Sequence, residues 1–395
     1  MERITNLEKN FVLDVLDQQF RTSSGAKYTK LLESTFAEKI GVSHAIAFTN
    51  GTATMHAALE AMGIGFGDEV IVPPLTMAAT TFAVFQANAI PIFADVNEQT
   101  FTIDPTDIEK KITSRTKAII TVSLYGLSAD IDSIKKVIGN RDIKIIEDNA
   151  EAFLSKYKNK YVGSLGDVGS FSFQSSKHLT AGEGGLITTN DDDLALKIRR
   201  IQSLGYAGLT AKKSKIEKKD IQKPGYARHI CMGWNYRMSE LCAAVSYAQT
   251  LRIDKLVNAR IKVANRFEEE AKNSDGVLKG QFSPNEYINT YWTWVAKLRE
   301  DIVWIDFKNE FSKNGGDGIY APWMLTYKEP LIQNKQILGR EKFIPDSYWS
   351  QNNIGCCPIA EKLENRLLQF KTNYWDEESC EIQAMALRKT IEFFK

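Results

Sequence analysis

One lysine in this chain sits in unusual company. Residues 169–185 read GSFSFQSSKHLTAGEGG, so Lys177 lies among hydroxyl side chains, aromatic rings and glycine turns. A lysine withdrawn from water in such a setting becomes a nucleophilic amine. The competing reading is an ordinary solvated charge. The GEGG piece is no dinucleotide fingerprint, because it leads into a strand-like run and not into a helix. A second segment, IIEDNAEA at 145–152, puts Asp148 and Glu151 just after an apolar run. A carboxylate aimed from a strand end into a cleft needs a cationic partner, since an unpaired buried charge is costly. Helix capping by Asp148 or Asn149 explains the same residues equally well. The third segment is Thr49-Asn50-Gly51-Thr52-Ala53. A strand ends there, Gly51 allows a tight turn and a helix begins. The free N–H groups and dipole of such a start favour an anion such as phosphate, and Thr52 adds a hydroxyl. Taken alone, Asn-Gly-Thr is also a common turn and cap.

These groups can meet only if strand ends bring them together. Short apolar runs do alternate with helical segments. The strand-like runs are Ala45–Phe48, Val70–Val72, Pro91–Ala94, Ala118–Val122, Ile143–Ile146 and Leu186–Thr189. Helical patterns fall at 53–62, 78–87 and 130–138, and amphipathic ones at 7–40 around a Ser23-Ser24-Gly25 break. This alternation predicts an α/β fold with a mainly parallel sheet. Strands buried on both faces read as such continuous Val/Ile runs. Ligands of these folds bind beyond the carboxyl ends of the strands. A long helical stretch over 239–271 links a large domain (1–250) to a smaller α+β domain (251–395), with a strand at Tyr291–Lys297 and a helix at Cys380–Phe394. No internal repeat or low-complexity segment is present.

Composition removes other classes of function. Lys+Arg is 50 and Asp+Glu is 49, a formal charge of +1, which argues against nucleic acid or an anionic membrane as the main partner. The local exception, Lys212-Lys213-Ser214-Lys215 with Lys218 and Lys219, reads as a solvated loop before it reads as an anion site. The 5 cysteines include no CxxC pair, and the 4 histidines show no metal-ligand spacing, so neither a disulfide framework nor a metal site is expected. The charged, helical N-terminus is not a signal peptide, and no apolar run reaches membrane-spanning length, so the expected location is the cytoplasm.

Jointly, FSFQSSKHLTAGEGG, IIEDNAEA and GWNYRMSE at 233–240 resemble, in order and spacing, the DegT/DnrJ/EryC1/StrS family of pyridoxal phosphate (PLP)-dependent sugar aminotransferases. That family has the type I aspartate aminotransferase fold, with a seven-stranded, mainly parallel sheet flanked by helices. The resemblance runs from Leu7-Glu8-Lys9-Asn10 to the C-terminal helix. It implies that Lys177 carries PLP as a Schiff base and that Asp148 pairs with the pyridinium nitrogen. It also implies that Gly51, Thr52, Ala53 and Ser172 hold the phosphate, and that Asn235 reaches the phosphate of a neighbouring subunit. The unit implied is a homodimer with shared active sites. Two positions depart from the pattern. Met77 stands where the family often has an aromatic residue stacked on the cofactor ring. Glu151 stands where glutamine is usual near the phenolic oxygen, and an acid there must be protonated or paired.

The implied reaction moves an amino group from glutamate or glutamine to a keto sugar, often nucleotide-linked, with the freed Lys177 amine as general base. Related enzymes with a similar stretch aminate keto-inositols, so a cyclitol acceptor is the alternative. In PLP-dependent sugar dehydratases a histidine replaces the lysine; here the lysine is present and His178 follows it. A non-enzymatic PLP-binding regulator finds no support in a basic face. His178 either touches substrate or is packed. The segment Gly315–Tyr320 with Trp323 and Tyr327 either lines a sugar site or, preferably, forms a surface hairpin with packed aromatics.

Overall fold

The computed structural model describes residues 2–20 and 26–395. The expected break at Ser23-Ser24-Gly25 lies outside them.

Seven strands form the central sheet: β1 His44–Phe48, β2 Glu69–Val72, β3 Ile90–Phe93, β4 Thr116–Val122, β5 Lys144–Asp148, β6 Val168–Ser172 and β7 Gly185–Thr189. Their spatial order is β1-β7-β6-β5-β4-β2-β3. Every pairing is parallel except the two made by β7, which runs against both β1 and β6. Successive side chains point to opposite faces. Ile46, Val72, Ile120, Ile146 and Ile187 join one apolar core, while Ala47, Ile71, Ile119, Ile145 and Leu186 join the other. Both faces are dry, which is why the strands read as unbroken apolar runs and not as alternating ones.

This topology places the chemistry. The carboxyl ends of β1, β5 and β6 and the start of antiparallel β7 share one edge of the sheet. The lysine-bearing loop connects β6 to β7 at that edge. The helix Gly51–Ala61 starts just after β1, capped by Asn50, whose Oδ1 accepts from the Ala53 amide at 2.8 Å. The helix Ala79–Gln86 follows β2 and brings Thr80 to the same edge.

The stretch expected as one helix over 239–271 is two, Glu240–Leu251 and Ile253–Lys272, broken at Arg252. The second covers a three-stranded antiparallel sheet of Leu278–Gly280, Thr293–Leu298 and Leu367–Lys371, together with the helices Trp304–Lys313 and Glu377–Phe394. The strand expected from Tyr291 starts at Thr293, because Tyr291 takes a left-handed conformation (φ 50°). Residues 316–319 form no hairpin. They run to a bridge between Tyr320 and Gln369. Leu325, Tyr327, Tyr348 and Leu363 pack into the core on one face of the central sheet. No helix among the described residues is long and apolar enough to cross a membrane.

Candidate active site

A cavity of about 400 Å³ opens at this sheet edge, lined by Gly51, Thr52, Asp148, Glu151, Ser172 and Lys177 among others. The Asp148 carboxylate closes its floor at 6% exposure. It accepts from the Thr80 hydroxyl at 2.8 Å and from the Ala150 amide at 3.2 Å. Burial pushes its pKa above the usual carboxylate range, while Thr80, the Ala150 amide and Lys177 pull the other way. Glu151 accepts from the Tyr125 amide at 3.0 Å and from Lys177 Nζ at 3.2 Å. Burial raises this carboxyl too, opposed first by Lys177.

Lys177 Nζ lies 4.1 Å from the centre of the Trp292 ring. Its loop is clamped from behind. Buried Arg260 donates to the Ser176 and Lys177 carbonyls at 2.8 and 3.1 Å, and Arg3 reaches the Lys177 carbonyl at 2.6 Å. Trp292 Nε1 adds a bond to the Ser176 carbonyl at 2.9 Å. Charged donors of this kind fix a loop more firmly than neutral ones.

The turn at Gly51 is tight for a steric reason. A Cβ on Gly51 would stand 3.0 Å from Ser172 Cβ, and one on Gly185 would stand 2.4 Å from the Asn50 carbonyl oxygen. Three chain segments thus meet at a helix start whose first amides have no acceptor within the helix. That is a cradle for an anion.

Most of the residues singled out from sequence meet here: Gly51, Thr52, Met77, Asp148, Glu151, Ser172 and Lys177 all line the cavity. Met77, 51% exposed, stands on its rim. Ala53 does not line it, and its amide is taken by the Asn50 side chain. Asn235 is exposed and lies outside its own chain's cavity. His178 is fully buried, with Nε2 bonded to the Thr290 carbonyl at 2.9 Å. Burial holds its pKa well below the ordinary imidazole value, so the ring is neutral and donates through Nε2. It is a packing residue. Tyr327 is likewise buried, its hydroxyl donating to Glu361 at 2.8 Å, whereas Trp323 does line the cavity.

Sequence reasoning missed Thr80, Trp292 and Glu183. Glu183 was visible inside the GEGG piece. Thr80 sits three residues after Met77, one helical turn further on. Trp292 carried no local signal, since its place depends on the chain crossing back over the lysine loop.

The residues fit PLP. The cavity holds two buried carboxyls and one lysine, and Asp148 has acceptor capacity left with no cation in hydrogen-bond contact, which suits a protonated ring nitrogen. The Gly51 cradle suits a phosphate, and Lys177 suits an aldehyde.

Comparisons agree. Residues 2–315 match the DegT/DnrJ/EryC1/StrS aminotransferase family. The chain belongs to this family and is an aminotransferase of the PLP-dependent kind. It is 37% identical over 304 residues to the GDP-perosamine synthase of Escherichia coli O157:H7, covering 76% of this chain and 78% of that one. It is 35% identical over 274 residues to the L-glutamine:2-deoxy-scyllo-inosose aminotransferase of Micromonospora echinospora, covering 69% and 64%. The X-ray structure of the aminotransferase from Psychrobacter cryohalolentis superposes with a TM-score of 0.86 at 26% identity, over 99% of this chain and 98% of that one.

Proposed function

We propose that this enzyme holds PLP at Lys177 and moves an amino group from glutamate or glutamine to a nucleotide-linked keto sugar. The observation that carries the reading is the convergence of Lys177, Asp148 and the Gly51 turn on one cavity. A relative named as a GDP-perosamine synthase supports the acceptor class. When bound, PLP supplies an aldehyde and an electron-withdrawing ring.

The chain's own residues do the rest. Asp148, a buried carboxylate, keeps a proton on the ring nitrogen. The Gly51 and Thr52 amides and the Ser172 hydroxyl seat the phosphate. Lys177 anchors the cofactor and, when released, moves a proton at the donor α-carbon. Its loop is clamped by Arg260, so its reach is fixed. Glu151 is paired with Lys177 Nζ at 3.2 Å, which offsets its charge beside the phenolic oxygen.

Borohydride reduction followed by peptide mapping tests this. Wild type should carry the reduced cofactor on Lys177, and Lys177→Ala should carry none. A cofactor bond surviving in that variant sinks the reading.

The functional unit we propose is a homodimer in which Asn235 serves the partner's phosphate site. Its exposure, and its place outside its own cavity, support this. Asn235→Ala should weaken cofactor retention, measured by dialysis, and a fully active monomer in sedimentation would contradict it. The cytoplasm is the compartment proposed; the free cysteines Cys231, Cys242, Cys356, Cys357 and Cys380 suit reducing conditions. The second reading is a cyclitol acceptor, supported by the inosose aminotransferase relative. Offering glutamate with a GDP-linked keto sugar or with 2-deoxy-scyllo-inosose separates the two.

A further inference from the structure

The cavity has two unlike sides. Its floor carries Asp148, Glu151 and Lys177. Beside them stand two indoles, Trp292 and Trp323, both half-buried and both lining the cavity. Their rings are parallel within 6°, with centroids 5.6 Å apart. Trp323 is also parallel to the buried Tyr125 ring, 12° and 6.4 Å away.

Neither indole is loosely placed. Trp292 spends its N–H on the Ser176 carbonyl, and its own carbonyl accepts from Arg260 and Thr372 at 2.8 Å each. The segment bearing Trp323 is pinned on both sides. Tyr320 pairs with Gln369 through two backbone bonds of 3.0 and 2.8 Å. Beyond Trp323, the Thr326 amide donates to the Pro74 carbonyl at 3.1 Å and the Leu325 amide to Glu364 at 2.8 Å. Both indoles are held firmly and keep part of their surface in the cavity, which suits a contact with a bound ligand.

The donor does not explain the shelf, because an amino acid with two carboxylates offers it little apolar surface. A pyranose ring does. One of its faces is a set of C–H bonds with a slight positive charge, which suits the negative face of an indole. Trp292 also has Lys177 Nζ against its ring, so the face sits where an amino group is handled, within cation–π reach.

We propose that Trp292 and Trp323 form the acceptor shelf, on which the sugar ring stacks by its C–H face with the carbon to be aminated turned toward Lys177, and that Trp323 determines specificity for a ring-shaped acceptor. This rests on the aminotransferase reading above and names how its acceptor is held.

The two half-reactions test it separately, using PLP-loaded enzyme and the loss of its visible band. Glutamate drives one. GDP-perosamine, giving its amino group to the cofactor in reverse, drives the other. Trp323→Ala should raise the KM for GDP-perosamine by about tenfold or more, well beyond its effect on the glutamate half-reaction. Trp323→Phe, which keeps a ring, should recover most of the loss. Since Trp323 also packs on Tyr125, Trp323→Leu serves if the alanine variant fails to fold. A second readout is fluorescence: GDP-perosamine should quench wild type more than GDP does, and the excess should shrink in Trp323→Phe to the share that Trp292 reports. Equal slowing of both half-reactions, no recovery with phenylalanine, or a wild type that takes glutamate but leaves GDP-perosamine untouched overturns the shelf. A wild type inert to glutamate overturns the proposed function instead.

Discussion

Glu147 and Asp148 are neighbours at the end of one strand, both buried, with pKa values that burial pushes in the same direction. They face opposite sides of the sheet and do opposite things. Glu147 accepts three backbone amides, from Leu165 and Gly166 on one oxygen and from Gly163 on the other, each at 2.8 Å. Its lone pairs are largely used, and what it holds is the 163–166 turn. Asp148 accepts one hydroxyl and one amide, and its remaining capacity faces the cavity. Burial alone therefore does not mark a functional carboxylate. Unspent hydrogen-bond capacity facing a cavity does.

The largest expected effect tests the open side of that pair. Asp148→Asn keeps the shape but removes the charge that would hold a proton on the cofactor ring. Turnover should fall by about a thousandfold, measured as amino transfer from glutamate with cofactor in excess. A loss under tenfold would mean that Asp148 is as structural as Glu147.

The closed side gives the next effect. In Glu147→Gln the amide oxygen can replace one carboxylate oxygen, but the NH2 group then meets an N–H donor of the 163–166 turn. A buried donor left without an acceptor costs about 2–3 kcal/mol. Denaturant midpoints should show that loss, while the cofactor band keeps its position. A moved band with unchanged stability would reverse the two assignments.

How much of this was visible in the sequence follows from how local each feature is. Lys177, Asp148 and Gly51 each stand inside a contiguous segment at a strand end, so strand–turn patterning was enough to group them. The alternating runs also announced the parallel sheet. What escaped was assembled over distance. Thr80 meets Asp148 across 68 residues of chain. Trp292 and Trp323 sit in irregular segments, where no periodicity betrays a facing surface. Ala53 was placed at the phosphate by its motif, but Asn50 captures its amide, as N-capping side chains commonly do. The break at Arg252 and the left-handed Tyr291 shifted element boundaries by amounts no apolar pattern encodes.

The smallest effect separates the neighbours by sign, in the apoprotein. Asp148 has a raised pKa in the folded state, so the folded chain keeps this proton to higher pH than the unfolded chain, whose aspartate titrates near about 3.9. Between those two values the unfolded state binds fewer protons, and stability falls as pH rises. The penalty is absent below the unfolded value and complete above the folded one. Asparagine at 148 has no charge to desolvate. Apoprotein Asp148→Asn should therefore be more stable than wild type at neutral pH, by on the order of 1 kcal/mol, and the gain should shrink toward pH 4. Glu147→Gln, measured beside it at neutral pH, should be less stable than wild type. Adjacent buried carboxylates would then respond with opposite signs, because the amides fill the hydrogen-bond capacity of one and the other keeps capacity for a cation. An apoprotein Asp148→Asn weaker than wild type at neutral pH would show that Asp148 is already satisfied within the chain, and the case for a cofactor cation beside it would fail.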